Sequence, residues 1–99
     1  MNNARQTQIT LTFADKPDLM VDVSFIRESY GKYYYRHILT CAAHCPDGSI
    51  VEFVGECVQG THGQFATPTF PKGIVPAQVA IPLGAQVQSF LSAEYKQRR

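Results

Sequence analysis

The feature that most constrains this chain is a tripeptide, Pro46-Asp47-Gly48, between two long segments rich in β-branched and aromatic residues. Proline presets a turn φ angle, aspartate accepts a local hydrogen bond, and glycine takes the left-handed conformation that completes a tight reversal. The flanking segments, residues 33–45 and 50–59, have the residue types that favour strands. The sequence therefore predicts a β-hairpin of two antiparallel strands.

The register of this hairpin follows from the turn. If Cys45 pairs near Ser49, then Cys41 lies near Phe53 and His37 lies near Cys57. Because side chains alternate between the two faces of a strand, one face becomes a core face. That face carries Leu39, Cys41, Ala43, Val51, Phe53 and Cys57.

The opposite face of the same hairpin is unusually apolar for a surface in contact with water. Its apolar and β-branched members, which lie beside Arg36, Glu52 and Glu56, are Ile38, Thr40, Val54 and Val58. A face of this kind needs cover from elsewhere. We consider three sources: the loop at residues 60–76 through Phe65 and Phe70, a second copy of the chain, or a partner protein.

The rest of the chain adds two strands and one helix. Residues 6–13 and 19–27 alternate apolar and polar side chains, which is typical of half-buried strands. Residues 60–76 form a long Pro/Gly loop, followed by a short edge strand at 75–81. Pro82 suits a first helical turn, and an apolar stripe then continues over 82–97.

These elements predict an α+β fold: a four- to five-stranded, mostly antiparallel β-sheet meander packed against one C-terminal α-helix. Ninety-nine residues correspond to one domain, residues 1–99, with a flexible N-terminus at about 1–6. No apolar run approaches the ~20 residues that span a bilayer, and the polar N-terminus does not resemble a signal peptide. Three cysteines, an odd number, favour a reduced and therefore cytoplasmic protein.

A cluster of cysteines and histidines raises the question of a metal site. Cys41, Cys45, Cys57 and His62 have the number of ligands that zinc requires, but their spacing is not a usual zinc pattern. On an extended strand, Cys41 and Cys45 would be roughly 13 Å apart, too far to share one ion. We therefore interpret the cysteines as core residues and expect no metal or other cofactor, with a small structural zinc domain as an alternative.

Catalysis finds little support in the sequence. His62 lies among glycines and could act as an acid or base near neutral pH, but the sequence places no nucleophile or carboxylate beside it. No sequence motif for a hydrolase, a phosphate-binding loop or a metalloprotease is present. We expect a protein that is not an enzyme and assign no catalytic residue.

The segment from Tyr30 to His37 interleaves tyrosines with basic residues. Tyrosine and arginine are enriched in the energetically important centres of protein interfaces. Aromatic and basic side chains on a strand also stack and neutralise single-stranded nucleic acid, although a formal net charge of only +1 argues against a dedicated duplex-binding protein. The candidate partner-binding residues are Tyr30, Lys32, Tyr34, Arg36, Phe65 and Phe70.

The leading hypothesis is a small non-catalytic protein that binds another protein. By analogy of size only, inhibitors encoded by phages and mobile elements, including anti-CRISPR-type proteins, belong to this class. A homodimer through the sheet face is a further option for the partner. The alternative is a single-stranded nucleic-acid-binding protein that uses the aromatic and basic strand.

Overall fold

A computed structural model describes residues 5–97, and its architecture is the predicted α+β fold. Four antiparallel strands form one sheet in the order β1-β2-β3-β4, which is a simple meander. A single helix, α1, follows the last strand. The elements are β1 (Arg5–Leu11), β2 (Leu19–Tyr30), β3 (Tyr34–His44), β4 (Ile50–Gln59) and α1 (Ala77–Gln97).

The hairpin of β3 and β4 has the register that the turn predicts. Cys41 pairs with Phe53 and His37 pairs with Cys57. The Cys45 N–H donates to the Ser49 carbonyl at 2.9 Å, which closes the turn. Within the turn, Gly48 has a φ of +90°. The predicted bounds of β4 are confirmed, and β3 is one residue shorter at each end than predicted.

The hairpin of β2 and β3 is longer than the sequence pattern predicts. Strands predicted at 19–27 and 33–45 leave residues 28–32 for the connection, but β2 continues to Tyr30 and only residues 31–33 form the turn. Glu28 pairs with Arg36 and Tyr30 pairs with Tyr34, so cross-strand contacts carry both strands almost to the reversal at Gly31. The first strand differs less: it ends at Leu11, and it already includes Arg5, whereas residues 1–4 of the predicted flexible N-terminus lie outside the described residues.

The helix begins at Ala77, so the predicted start at Pro82 and the predicted edge strand at 75–81 are both wrong. The Pro76 carbonyl accepts hydrogen bonds from the N–H groups of Val79 and Ala80, and this starts the helix before Pro82 is reached. Pro82 therefore lies inside the helix, where it removes one backbone hydrogen bond. The apolar stripe behaves as predicted, since Leu83, Val87 and Leu91 are buried.

The core face of the sheet has two covers, the helix and the loop. The helix packs mainly toward β1 and β2, and its Phe90 ring stacks on Phe25 with 5.1 Å between centroids. The loop at 60–76 packs toward β3 and β4, with Phe65 and Val75 buried. The described part of the chain contains no helix long and apolar enough to cross a membrane.

The same loop also covers the outer edge of β4. Backbone hydrogen bonds join Glu56 and Thr69 in both directions at 3.0 and 2.9 Å, and the Ala66 N–H donates to the Val58 carbonyl at 2.9 Å. Phe70 packs over Gly55, on the core side of the sheet. The suggestion that Phe65 and Phe70 cover the opposite face is therefore wrong, because the hydrogen bonds along β4 direct both rings toward the core.

Candidate protein-binding surface

The face of the sheet that points away from the helix, called the open face below, is not covered by any described segment. Its side chains come from alternate residues of all four strands. This follows from the pairing of Thr10 with Met20, of Ile26 with Ile38 and of Thr40 with Val54. Six of its large apolar residues are 41–56% exposed, which is high for side chains of this kind in regular strands. They are Met20, Ile26, Tyr30, Tyr34, Ile50 and Val54.

One end of the open face carries a cluster that we call the aromatic patch: Ile26, Tyr30, Tyr34, Arg36 and Ile38. Tyr30 and Tyr34 are directly opposite each other on β2 and β3, and so are Ile26 and Ile38. The Arg36 guanidinium lies over the Tyr30 ring, 5.2 Å from its centroid. Regular pairing on rigid strands thus places two tyrosines, one arginine and two isoleucines on a single surface.

Two carboxylates hold the Arg36 guanidinium in place. Arg36 Nε donates to Glu28 Oε1 at 3.0 Å, and a second nitrogen, Nη2, bonds to the same oxygen. Arg36 Nη1 lies 3.5 Å from Glu56 Oε1 on the neighbouring strand. The pKa of Arg36 is raised above its ordinary value, chiefly by the hydrogen bonds to Glu28. The arginine is therefore a fixed cation beside the Tyr30 ring.

Carboxylates outnumber cations on the rest of the open face. Asp22, Glu28, Glu52 and Glu56 lie there, and among the described residues of this face Arg36 is the one permanent cation. His44 Nε2 lies 2.7 Å from Asp22 Oδ2, and this hydrogen bond is the main reason that the pKa of Asp22 is lowered. The open face is thus apolar at its centre and acidic in net charge.

The turn beyond the aromatic patch adds more aromatic and basic side chains. Lys32 Nζ lies 5.3 Å from the centroid of Tyr33, which is 61% exposed. On the underside of the same hairpin, the Arg27 guanidinium lies 4.6 Å from the centroid of Tyr35. Each cation at this end of the molecule therefore already has a tyrosine ring as its partner.

The structure brings together some of the candidate residues and separates others. Tyr30, Tyr34 and Arg36 share the aromatic patch, and Lys32 lies at the adjacent turn. Phe65 is only 9% exposed and packs on His37 and Tyr95, with centroid distances of 5.4 and 6.3 Å. Phe70 meets Phe53 edge-on at 5.8 Å. Both phenylalanines belong to the core side and are not available to a partner on the open face.

Sequence reasoning did not assign Ile26 and Glu28 to the site. Both residues fall at or just beyond the end at which β2 was expected to stop. A signal was present, because Ile26, Glu28 and Tyr30 continue the outward series of Met20, Asp22 and Ser24, which alternates with the apolar series that begins at Leu19. Extending that alternation would have placed all three on the open face.

The structure does not assemble the four proposed zinc ligands. Cys41 and Cys57 are buried on the core face, Cys45 lies at the end of β3, and His62 is in an exposed turn. Burial raises the pKa of Cys41 to about 12 and that of Cys57 to about 11. Within residues 5–97, no three His, Cys, Asp or Glu side chains come close enough to hold a metal ion. The two buried thiols are protonated at neutral pH and serve as small apolar residues.

A polar cluster lies between the sheet and the end of the helix. His37 Nε2 donates to Gln59 Oε1 at 2.9 Å, while its Nδ1 faces Arg5 Nη2 at 3.4 Å. Arg5 Nε lies 2.9 Å from Glu94 Oε1 on the helix. The adjoining cavity measures about 20 Å³, enough for about one water molecule. The cluster ties β1, β3, β4 and α1 together and leaves no room for a substrate.

Comparison with known proteins identifies no relative: no family model, no curated protein and no solved structure matches this chain.

Proposed function

We propose that this chain is a protein-binding protein and that its binding surface is the open face, centred on the aromatic patch. The observation that carries this proposal is the uncovered end of the sheet, where Tyr30, Tyr34 and a fixed Arg36 lie together beside the exposed Ile26 and the half-buried Ile38. Intramolecular cover was the alternative that would have removed this surface, and the loop packs on the core side instead.

The arrangement of the aromatic patch favours tight binding. Tyrosine and arginine are the side chains most often found at energetic centres of interfaces. Ordering flexible side chains on binding costs about 0.5–1.5 kcal/mol each, so a side chain that is already fixed binds at a lower cost. Arg36 is held by Glu28 and Glu56, and the tyrosines stand on paired strands. Arg36 therefore has little conformational freedom to lose.

The charge of the open face indicates what kind of partner it accepts. Glu52, Glu56 and Asp22 surround an apolar centre, so a complementary surface carries an apolar patch flanked by lysines or arginines. A second copy stacked face to face would place carboxylates near carboxylates, which opposes a homodimer through this face. A partner of different sequence is therefore favoured. Inhibition, by covering a functional surface of such a partner, is the specific role that we propose.

The test compares the proteins that wild type and variants of this chain capture from the same lysate. Tagged wild-type protein and the double variant Tyr30→Ala/Tyr34→Ala are incubated with lysate of the source cells, and the bound proteins are quantified. Thr10→Ala serves as a control, because Thr10 is on the same face but on β1. We expect one or more proteins to bind wild type and the control, with a loss of at least about tenfold in the double variant.

Circular dichroism and urea unfolding establish that the double variant is folded before its bound proteins are compared with those of wild type. Equal recovery of every bound protein by wild type and by the folded double variant would refute the aromatic patch as the binding surface. A protein whose recovery falls in the double variant is then purified, and its affinity for Glu52→Lys is measured. A weaker affinity supports the basic partner surface, and a stronger affinity contradicts it.

A second candidate, binding of single-stranded nucleic acid, is favoured by one observation. Three cations and four tyrosines lie at the end of the β2–β3 hairpin, and bases stack on such rings. The acidic balance of the open face opposes a phosphate backbone. Titration with fluorescent oligonucleotides at low and moderate salt separates the two functions. Binding that weakens steeply with salt supports the nucleic-acid function, and titrations that show no binding at low salt exclude it.

A further inference from the structure

The two outer edges of the sheet differ in their cover. At β4, the loop at 60–76 hydrogen-bonds to the outer edge of the strand through Glu56 and Val58. At β1, no described segment pairs with the outer backbone of residues 6–11, which we call the β1 edge. The sheet therefore ends on one side in a strand whose outward N–H and C=O groups have no strand beside them within residues 5–97.

The β1 edge lacks the features by which sheets ordinarily prevent strand addition. Natural edge strands carry lysine, proline, a bulge or an inward-pointing charge. Residues 6–11 read Gln-Thr-Gln-Ile-Thr-Leu, without charge or proline. Pairing with β2 is continuous from Arg5 opposite Phe25 to Leu11 opposite Leu19, so there is no bulge. Arg5, which precedes these residues, points inward to Glu94 on the helix, so the one charge of β1 lies at the end of the strand and not within residues 6–11.

We propose that the β1 edge pairs with the β1 edge of a second copy, which joins two sheets into one of eight strands. This site is the backbone edge of β1 and not the aromatic patch, so it goes beyond the proposed function. The pairing is antiparallel and two-fold symmetric, because a symmetric dimer uses the same patch on both copies. Each copy then supplies the missing backbone partners of the other.

The alternation of side chains sets the register. Ile9 and Leu11 are buried on the core side, whereas Gln6, Gln8 and Thr10 are exposed on the open face. A shift of one residue would place core side chains on the wrong face, so only residues of the same parity can be opposite each other. The register that pairs all seven residues of β1 places Gln8 opposite its own copy at the two-fold axis, with Gln6 opposite Thr10.

The helix is compatible with this arrangement. Tyr95 packs on Phe65 of the loop, while Phe90 stacks on Phe25 of β2, so the two flanks of α1 face opposite edges of the sheet. Gln86 and Ala93 lie one turn before and after Phe90 on its flank, and both are exposed and uncharged. Two helices brought side by side under the paired β1 strands therefore meet without like-charge repulsion at these positions, and Glu94, the helix residue that reaches β1, is paired with Arg5 of its own chain.

Substitution of Gln8 tests the register directly. The Gln8 side chain is exposed and donates to Asp22 Oδ1 at 2.9 Å, so a lysine there gains a carboxylate partner within its own chain. In the dimer, Gln8→Lys places two lysines opposite each other at the axis, and Gln8→Glu places two glutamates there. Like charges directly opposite each other on neighbouring strands are unfavourable, whereas opposite charges attract. Each variant alone should be monomeric, and an equal mixture should form the mixed dimer.

The experiment is sedimentation velocity on the full chain over roughly a hundredfold range of protein concentration, because mass action governs the dimer. We expect wild type to shift from monomer to dimer as concentration rises and each Gln8 variant to require at least a tenfold higher concentration. The mixture should recover the wild-type behaviour. Thr40→Lys, on the open face of a central strand, is the control and should dimerise as wild type does.

Hydrogen exchange measured at low and high concentration gives a second measurement that does not depend on a variant. The outward amides of β1 should exchange more slowly at high concentration, and amides of β3 should not change. A wild-type protein that remains monomeric throughout the range overturns the proposal. Dimers that persist in both Gln8 variants, or that Thr40→Lys abolishes, also overturn it, because the contact then lies elsewhere. Tyr30→Ala/Tyr34→Ala should still dimerise, which separates this result from the proposed function.

Discussion

The two faces of the β-sheet are built from the same strands, yet one is buried and the other is exposed. On the core face, Phe25 and Leu39 are fully buried beneath the helix and the loop. On the open face, the next residues along the same strands, Ile26 and Thr40, stay exposed. The apolar content of a strand position therefore does not decide whether it is buried; what decides is which face the helix and the loop cover.

This difference explains why the aromatic patch is a stronger candidate for binding than any group in the core. Chemistry-bearing side chains occur on both faces. Those on the core face, His37, Cys41 and Cys57, are used internally by hydrogen bonding or by packing. Those on the open face, Tyr30, Tyr34 and Arg36, contact one another or Glu28 and still have exposed surface. Within residues 5–97, the open face therefore has both apolar and charged surface left for a partner.

Paired alanine substitutions on one strand test the comparison most strongly. Phe25→Ala removes a fully buried ring that stacks on Phe90 and should lower the free energy of unfolding by about 3–5 kcal/mol. Ile26→Ala, on the adjacent open face, should change it by less than about 1 kcal/mol. Urea unfolding followed by circular dichroism measures both. A loss of similar size in the two variants would mean that the open face is covered in solution.

The close approach of the loop to β4 gives a second, smaller effect. A Cβ atom at Gly55 would lie 2.5 Å from Phe70 Cδ1 and 2.7 Å from the Thr69 carbonyl oxygen. Gly55→Ala should therefore displace the loop and cost about 1–3 kcal/mol of stability. Thr69 is hydrogen-bonded to Glu56, so its carbonyl cannot move without loss of that bond.

The matched control for Gly55→Ala is the double variant Gly55→Ala/Phe70→Ala. If the Phe70 ring is the main obstacle, the two substitutions together should cost less than the sum of their separate effects. Strictly additive losses would indicate that the loop does not rest on Gly55. Val54→Ala, one residue away on the open face, should leave the stability nearly unchanged.

The β3–β4 hairpin was predictable from the sequence, whereas the start of the helix and the end of β2 were not. Pro46, Asp47 and Gly48 specify a turn by local chemistry, and alternation then determines which residues share a face. The predicted helix start at Pro82 was wrong because it relied on the preference of proline for the first helical turn. In the structure Pro82 lies inside the helix, where the packing of Leu83 and Val87 on the sheet compensates for the lost hydrogen bond. Tertiary contacts outweighed the local preference there.

The candidate site was predictable only in part for a similar reason. Tyr30, Tyr34 and Arg36 were indicated by residue type and by alternation. Whether Phe65 and Phe70 would join them depended on the side of the sheet to which the loop turns. That choice is made by backbone hydrogen bonds between Thr69 and Glu56 and by the space above Gly55, and neither has a signature in a single sequence.

The buried His37 provides the smallest of the three expected effects and a test of how well the core face is sealed. Burial lowers the pKa of His37 below the ordinary value of 6.5, and the facing guanidinium groups of Arg5 and Arg27 act in the same direction. Gln59, which accepts a hydrogen bond from His37, and Glu94 oppose the shift. The unfolded chain therefore takes up this proton at a higher pH than the folded chain does.

Linkage then determines the direction of the pH dependence. The stability associated with neutral His37 should be fully present above about pH 7.5 and should fall as the pH drops through 6.5 toward the native pKa. The urea midpoint measured at intervals of pH reports this slope. His37→Gln cannot titrate and should flatten it, whereas His62→Gln, in an exposed turn, should keep the wild-type slope. Equal slopes in wild type and His37→Gln would show that water reaches this histidine and that the core face is open at the end of the helix.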